Sequence, residues 1–165
     1  MRRSHLFIAI SIFVTIATLL GIFTRTNAIQ AAGSLTGSDI AEIQQLYARY
    51  NQGLDFRDQD LLLSIFADDA IYTTGSGEAH SGKEAIKKWA EPLLNAGPTV
   101  LTHNNTSIVI TPTADGAKGR GYWMLFNVEQ QPPQPLMTGY YEDTFTKTSQ
   151  GWRIKTRGSV RGWSQ

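Results

Sequence analysis

The sequence predicts an α+β domain, a curved antiparallel sheet wrapped over about three N-terminal helices into a cone-shaped α+β barrel. Three observations point there. Apolar residues recur at three- and four-residue steps through the first half of the chain, ending near Leu94. From Thr99 onward the period is extended, in stretches rich in Thr, Val and Ile. Turn residues then cut that second half into strands, at Asp115-Gly116, at the run Gln131-Pro132-Pro133-Gln134-Pro135, and at Ser149-Gln150-Gly151.

The chain opens on a segment that does not belong to this pattern. Arg2 and Arg3 precede an uncharged run from Leu6 to Phe23, and Thr26-Asn27-Ala28 supplies small residues at a cleavage point. Residues 1–28 therefore read as a secretory leader and the protein as exported, periplasmic or secreted. The run just reaches the lower limit for a membrane span, so an uncleaved N-terminal anchor is the alternative. Residues 29–37 form a short linker, 38–160 the domain and 161–165 a tail. Without Arg2, Arg3 and Arg25 the basic count falls from 15 to 12 against 14 acids, a net charge of −2. Mixed charge without a basic stripe gives no footprint for nucleic acid. The absence of cysteine means that an exported domain has to stand on its core alone.

The first helix is announced by Thr36 or Ser38 as N-cap and by Asp39 and Glu42, carboxylates suited to the positive end of the helix dipole. Ile40, Ile43, Tyr47, Tyr50 and Leu54 define its buried face, and the helix loosens at Gly53 just before Asp55. Asp58 caps a second helix that runs through Phe66. Ala70 to Thr74 reads as the first strand. Ser81-Gly82-Lys83-Glu84 matches a capping box with Ser81 as the cap. The helix it opens, with Ile86, Trp89, Ala90 and Leu93 on one side, is stopped by Gly97-Pro98. Strands follow over Val100 to Thr111, Lys118 to Gln130, Leu136 to Thr148 and Trp152 to Val160.

A sheet curved over helices leaves an apolar cavity between the layers, where a small molecule would bind. Tyr50, Phe66, Tyr72, Trp89, Trp123, Phe126, Tyr140 and Tyr141 are placed to line it or to fill the core. The order and spacing of LYARYNQGLD, IFADDAIY, SGKEAIKKW, His103 at the start of a strand, GYYEDTF and GWRIKTR resemble the SnoaL-like branch of the nuclear transport factor 2 superfamily. The resemblance spans about Ser38 to Gly158. It implies the cone-shaped fold and likeness to polyketide cyclases, scytalone dehydratase and bile acid 7α-dehydratase, and a sheet-to-sheet homodimer.

The dehydratases of that group use a Tyr, an Asp five residues on and a His opening a central strand, and Tyr50, Asp55 and His103 match this arrangement. The residue types suit the chemistry. Eliminating water needs a base for a C–H proton and an acid for the leaving hydroxyl, and a histidine titrating near neutrality can do either. Asp55 would orient His103, and Tyr50 would polarise a carbonyl. Tyr72, Trp89, Trp123, Asn127, Tyr140 and Arg157 are the candidate substrate contacts. Arg157 is contested: the resemblance points a basic residue of the last strand at the cavity. Strand alternation instead puts it with Arg153 and Lys155 on the solvated face, and only a bulge would turn it inward. Asp143 reads as structural. The long strand lacks the second acid or histidine of the dehydratases, offering only Asn127 before Glu129. His80 and His103 fit no metal-ligand spacing, and no phosphate loop or dinucleotide fingerprint occurs, so neither metal nor cofactor is expected. The sequons at Asn104 and Asn105 fall in what reads as a central strand. The reading is a small cyclic organic ligand in the cavity, with cofactor-free lyase or isomerase chemistry; the alternative is a non-catalytic binding or dimerisation module.

Overall fold

The computed structural model describes residues 33–96 and 100–162. The leader, the stop at Gly97-Pro98 and residues 163–165 of the tail lie outside the described residues. Among the described residues three helices, α1 (Gly37–Asp55), α2 (Gln59–Ser64) and α3 (Lys83–Leu94), interleave with six strands: β1 (Phe66–Thr73), β2 (Ala79–Ser81), β3 (Leu101–Thr113), β4 (Gly116–Asn127), β5 (Gln134–Thr148) and β6 (Gly151–Arg161). The strands form one sheet in the order β2-β1-β6-β5-β4-β3, antiparallel except for the parallel pair β1 and β6. Because β2 and β3 occupy opposite edges, the curved sheet stays open. The strand carrying His103 is thus an edge strand rather than a central one.

Helix α1 starts one residue before the expected domain boundary. Thr36 is its N-cap: the Thr36 hydroxyl accepts from the Asp39 amide at 3.1 Å while the Asp39 carboxylate accepts from the Thr36 amide at 2.9 Å. Asp39 also accepts from Lys147 Nζ at 2.7 Å and from Trp152 Nε1 at 2.8 Å, fastening the helix to the β5–β6 hairpin. Glu42 lies beyond the first turn and accepts from the Trp152 amide at 2.8 Å. Ile43, Leu46, Tyr47 and Tyr50 are buried, whereas Ile40 is 36% exposed, so the packed stripe is rotated toward Leu46. Gly53 does not break the helix. A Cβ there would stand 2.9 Å from the Leu62 amide nitrogen, and its absence lets α2 pack backbone-close on α1. The helix continues to Asp55, and the chain reverses at Arg57 with φ 58°.

Asp58 caps α2, accepting from the Leu61 amide at 2.8 Å, but that helix ends at Ser64 and Phe66 already opens β1. Ser81 is not the cap of α3. It is held in β2 opposite Ile71, and Gly82 takes the cap position without a side-chain bond. Ile86, Ala90 and Leu94 form the buried stripe of α3, leaving Trp89 half-buried and Leu93 48% exposed. Together with Phe66, Tyr72, Trp123, Tyr141, Phe145, Trp152 and Ile154 these side chains close one core between helices and sheet.

The Asp39 node carries a pH dependence. Hydrogen bonds from Lys147, Thr36 and Trp152 hold its carboxyl well below the ordinary 3.8. Its contribution to stability is therefore present above that value and is lost as pH falls below it toward the native-state value. Asp39→Asn is expected to melt below wild type at pH 7, with the gap narrowing as the pH is taken from 4 to 2.5. A gap that stays constant over that range contradicts the assignment.

Candidate functional site

The cavity, of about 490 Å³, lies between α1, α3 and the inner face of the sheet. Strands β3 to β6 each deliver side chains to it by alternation. From β3 come Leu101 and His103, from β4 Trp123 and Leu125, from β5 Met137 and Tyr141, and from β6 Ser159 and Arg161. Helix α1 adds Tyr50, Leu54 and Asp55, and α3 adds Trp89 and Leu93. The walls are chiefly apolar and aromatic, as in small-molecule sites. The rings of Tyr72 and Trp89 approach to 4.4 Å between centroids.

Asp55 and His103 meet in this wall. Asp55 Oδ1 lies 2.6 Å from His103 Nδ1, and Asp55 Oδ2 accepts from the His103 backbone amide at 3.0 Å. The side chains are 13% and 22% exposed. A helix C-terminus held against the first turns of β3 thus grips one residue twice. An ionised carboxylate can only accept, so the proton between the two groups belongs to Nδ1, which leaves the Nε2 lone pair as the basic nitrogen.

Tyr50 is buried, and its hydroxyl donates to the Tyr72 hydroxyl at 3.2 Å. Burial pushes the phenols of Tyr50, Tyr72 and Tyr141 above their ordinary values, with the Arg157 charge pulling the other way. The three remain neutral O–H groups near neutral pH, able to donate a hydrogen bond and unsuited to act as bases. With the Tyr50 proton committed, Tyr72 and Tyr141 are the lining phenols whose protons are available to a ligand, and Tyr72 is the one that Tyr50 supports from behind.

Arg157 is where strand alternation misleads. In the β5–β6 ladder Thr144 faces Thr156 while Phe145 faces Ile154, so Lys155 is an unopposed extra residue. Lys155 points outward and pairs with Asp69. After it the faces exchange: Trp152 and Ile154 are buried, and so is Arg157, at 1% exposure. Its guanidinium forms a bidentate pair with Asp143, Nε to Oδ1 at 3.0 Å and Nη2 to Oδ2 at 2.7 Å, both side chains fully buried. The rings of Tyr141, Tyr50 and Tyr47 surround it at 4.2, 4.5 and 5.0 Å. Arg157 therefore lies behind the tyrosine wall rather than in the cavity lining.

Two further expectations are corrected by placement. Tyr140 faces the other side of the sheet, where Arg120 stacks on its ring at 5.5 Å. Asn127 caps the turn after β4, accepting from the Glu129 amide at 2.9 Å, and does not line the cavity. Tyr72, Trp89 and Trp123 do line it. Ser159 and Arg161 were not singled out from the sequence. The signal was available in the alternation itself, since an inward Arg157 carries positions 159 and 161 inward with it.

The family model for the SnoaL-like domain matches residues 36–158. The chain belongs to the SnoaL-like family. Among curated relatives, the uncharacterized protein Rv2910c of Mycobacterium tuberculosis is 34% identical over 125 residues, which cover 73% of this chain and 83% of the relative. A protein of unknown function with a cystatin-like fold from Nostoc punctiforme superposes with a TM-score of 0.70 at 24% identity, covering 79% of this chain and 96% of its own. LinA, whose type 2 form is a hexachlorocyclohexane dehydrochlorinase, superposes with a TM-score of 0.66 at 25% identity, covering 76% of this chain and 87% of its own. These likenesses give the SnoaL-like domain its fold; what a site does is decided by its side chains.

The buried pair makes a direct prediction. Asp143→Asn leaves a guanidinium buried opposite a neutral amide and is expected to cost about 3–5 kcal/mol, as one-sided removal of a buried pair does. Asp143→Asn combined with Arg157→Met should cost less than the two singles together. Denaturant melts of the four proteins measure this, and additive costs would show that the two side chains do not act as a unit.

Proposed function

We propose that this SnoaL-like protein catalyses an elimination or isomerisation on a small cyclic organic molecule, with His103 as the base, Asp55 as its orienting partner and Tyr72 as the hydrogen-bond donor. The observation that carries the reading is the two-point contact of Asp55 with His103 in the wall of a largely apolar cavity. In the proposed step His103 Nε2 takes a proton from carbon, the C–H electron pair becomes the C=C bond, and the leaving group departs with its bonding pair; where it is a hydroxyl, the His103 imidazolium returns the proton to it and it leaves as water. Asp55 balances the imidazolium that forms. The Tyr72 hydroxyl donates to the oxygen on which charge develops, with Tyr50 behind it, so the polarising role expected for Tyr50 passes to its neighbour. A dehydrochlorinase with this fold performs a reaction of the same type, loss of HX across a carbon–carbon bond.

The second reading, a binding module without turnover, draws on β4, where Trp123 and Leu125 face the cavity and no carboxylic acid accompanies them. We propose export by the N-terminal segment, and a homodimer, on the strength of the leader sequence and the family resemblance respectively.

A panel of cyclic β-hydroxy ketones, followed by NMR for loss of water, tests the enzyme reading. Asp55→Asn is the informative variant. Its amide oxygen can still accept from the His103 backbone while its NH₂ opposes Nδ1 and favours the wrong tautomer. Asp55→Asn and His103→Ala are each expected to lower turnover about 100- to 10,000-fold, with melting temperatures equal to or above wild type. No turnover of the panel, together with variants that melt several degrees lower, would leave the pair a structural bond and favour the binding module.

A further inference from the structure

The proposed acid–base site leaves open what kind of molecule it receives, and the cations of the cavity bear on that. Two guanidiniums line it, Arg57 and Arg161. Arg57 is engaged, donating through Nη1 to the Leu93 and Leu94 carbonyls at 2.6 and 3.2 Å and so tying α2's approach to the end of α3. The Arg161 guanidinium forms no ion pair or hydrogen bond among the described residues. Of the two carboxylates in the lining, Asp55 is taken by His103, and Glu78 sits 3.7 Å from His80 Nε2.

The position of Arg161 is built by the fold. It stands two alternations beyond Arg157, so the bulge at Lys155 that turns Arg157 inward also turns Arg161 to the cavity. Its stem lies across Gly75, where a Cβ would fall 2.7 Å from Arg161 Cγ and 2.8 Å from Nε. Its charge reaches Tyr72, whose raised phenol, lifted chiefly by burial, it pulls partly back down. A guanidinium without a partner among the described residues, seated over a glycine at the exposed rim of an aromatic cavity, is complementary to one planar anionic group.

We infer that Arg161 is a carboxylate anchor, and that the substrate class of this site is ring-bearing monocarboxylic acids: the carboxylate sits on Arg161 at the rim and the ring lies among Tyr72, Trp89 and Trp123, within the cavity that His103 lines. Among the described residues the cavity holds a single uncommitted cation, which balances one negative charge and so favours a carboxylate over a phosphate dianion. This inference rests on the proposed function for its chemistry, but binding alone tests it.

The test is calorimetric titration of the protein, expressed from the full chain, with 2-naphthoate and with its neutral analogue 2-naphthamide. The expected result is naphthoate binding about ten-fold tighter than naphthamide, in line with a charge-assisted bond at a partly exposed site. That preference should shrink as NaCl is raised. Arg161→Gln should abolish the preference while leaving naphthamide affinity unchanged. Gly75→Ala, which keeps the guanidinium but displaces its stem, should reduce the preference part-way. Equal affinity for the two probes in the unaltered protein, or an Arg161→Gln variant that loses both alike, overturns the anchor and leaves the acid–base reading standing. Failure of either probe to bind at millimolar concentration, in a protein that still dehydrates the hydroxy ketones, also overturns the anchor. The same failure without turnover overturns both.

Discussion

One extra residue on the last strand governs the inner surface of this protein. Lys155 has no partner on β5, and everything after it on β6 faces the opposite way from what alternation would give. Arg157 is thereby driven into the core, where an unpaired charge would be prohibitive, and Asp143 meets it with two hydrogen bonds. Three tyrosine rings close around the pair. Two of those rings, Tyr50 and Tyr141, are also cavity wall. The pair thus holds the aromatic wall from behind, and its cation adds positive potential beneath phenols that burial keeps neutral.

The first helix connects that wall to the proposed chemistry. At its start Asp39 and Glu42 bind the β5–β6 hairpin; in its middle Tyr47 and Tyr50 pack on Arg157; at its end Asp55 reaches the edge strand. Both ends of a rigid rod are therefore fixed to opposite parts of one sheet. The Asp55–His103 geometry inherits its precision from this arrangement rather than from the loop that follows, where the chain turns at Arg57.

Much of this was legible from residues alone. The fold class followed from helical periodicity giving way to extended stretches; Tyr72, His103 and Trp123 reach the cavity by strand alternation, and Asp55 and Trp89 from the helices α1 and α3. Three kinds of feature were not legible. The bulge at Lys155 carries no glycine or proline, so nothing in the text of β6 marks the change of face. Ser81 has the residue type of a helix cap, yet it is held in a short strand by pairing with Ile71, a non-local contact. Tyr140 and Tyr141 are adjacent aromatics on one strand, and only the register of β5 decides that Tyr141 lines the cavity while Tyr140 stacks with Arg120 outside. In each case the missing information is a register, which local sequence does not encode.

The central claim is that Asp55 holds His103 with its proton on Nδ1 and its basic lone pair on Nε2. Nitrogen-15 NMR of the imidazole, recorded where His103 is neutral, measures this directly. The account predicts the Nδ1–H tautomer in the unaltered protein and a shift toward Nε2–H in Asp55→Asn. An Nε2–H tautomer in the unaltered protein, or a population that Asp55→Asn does not move, would contradict it.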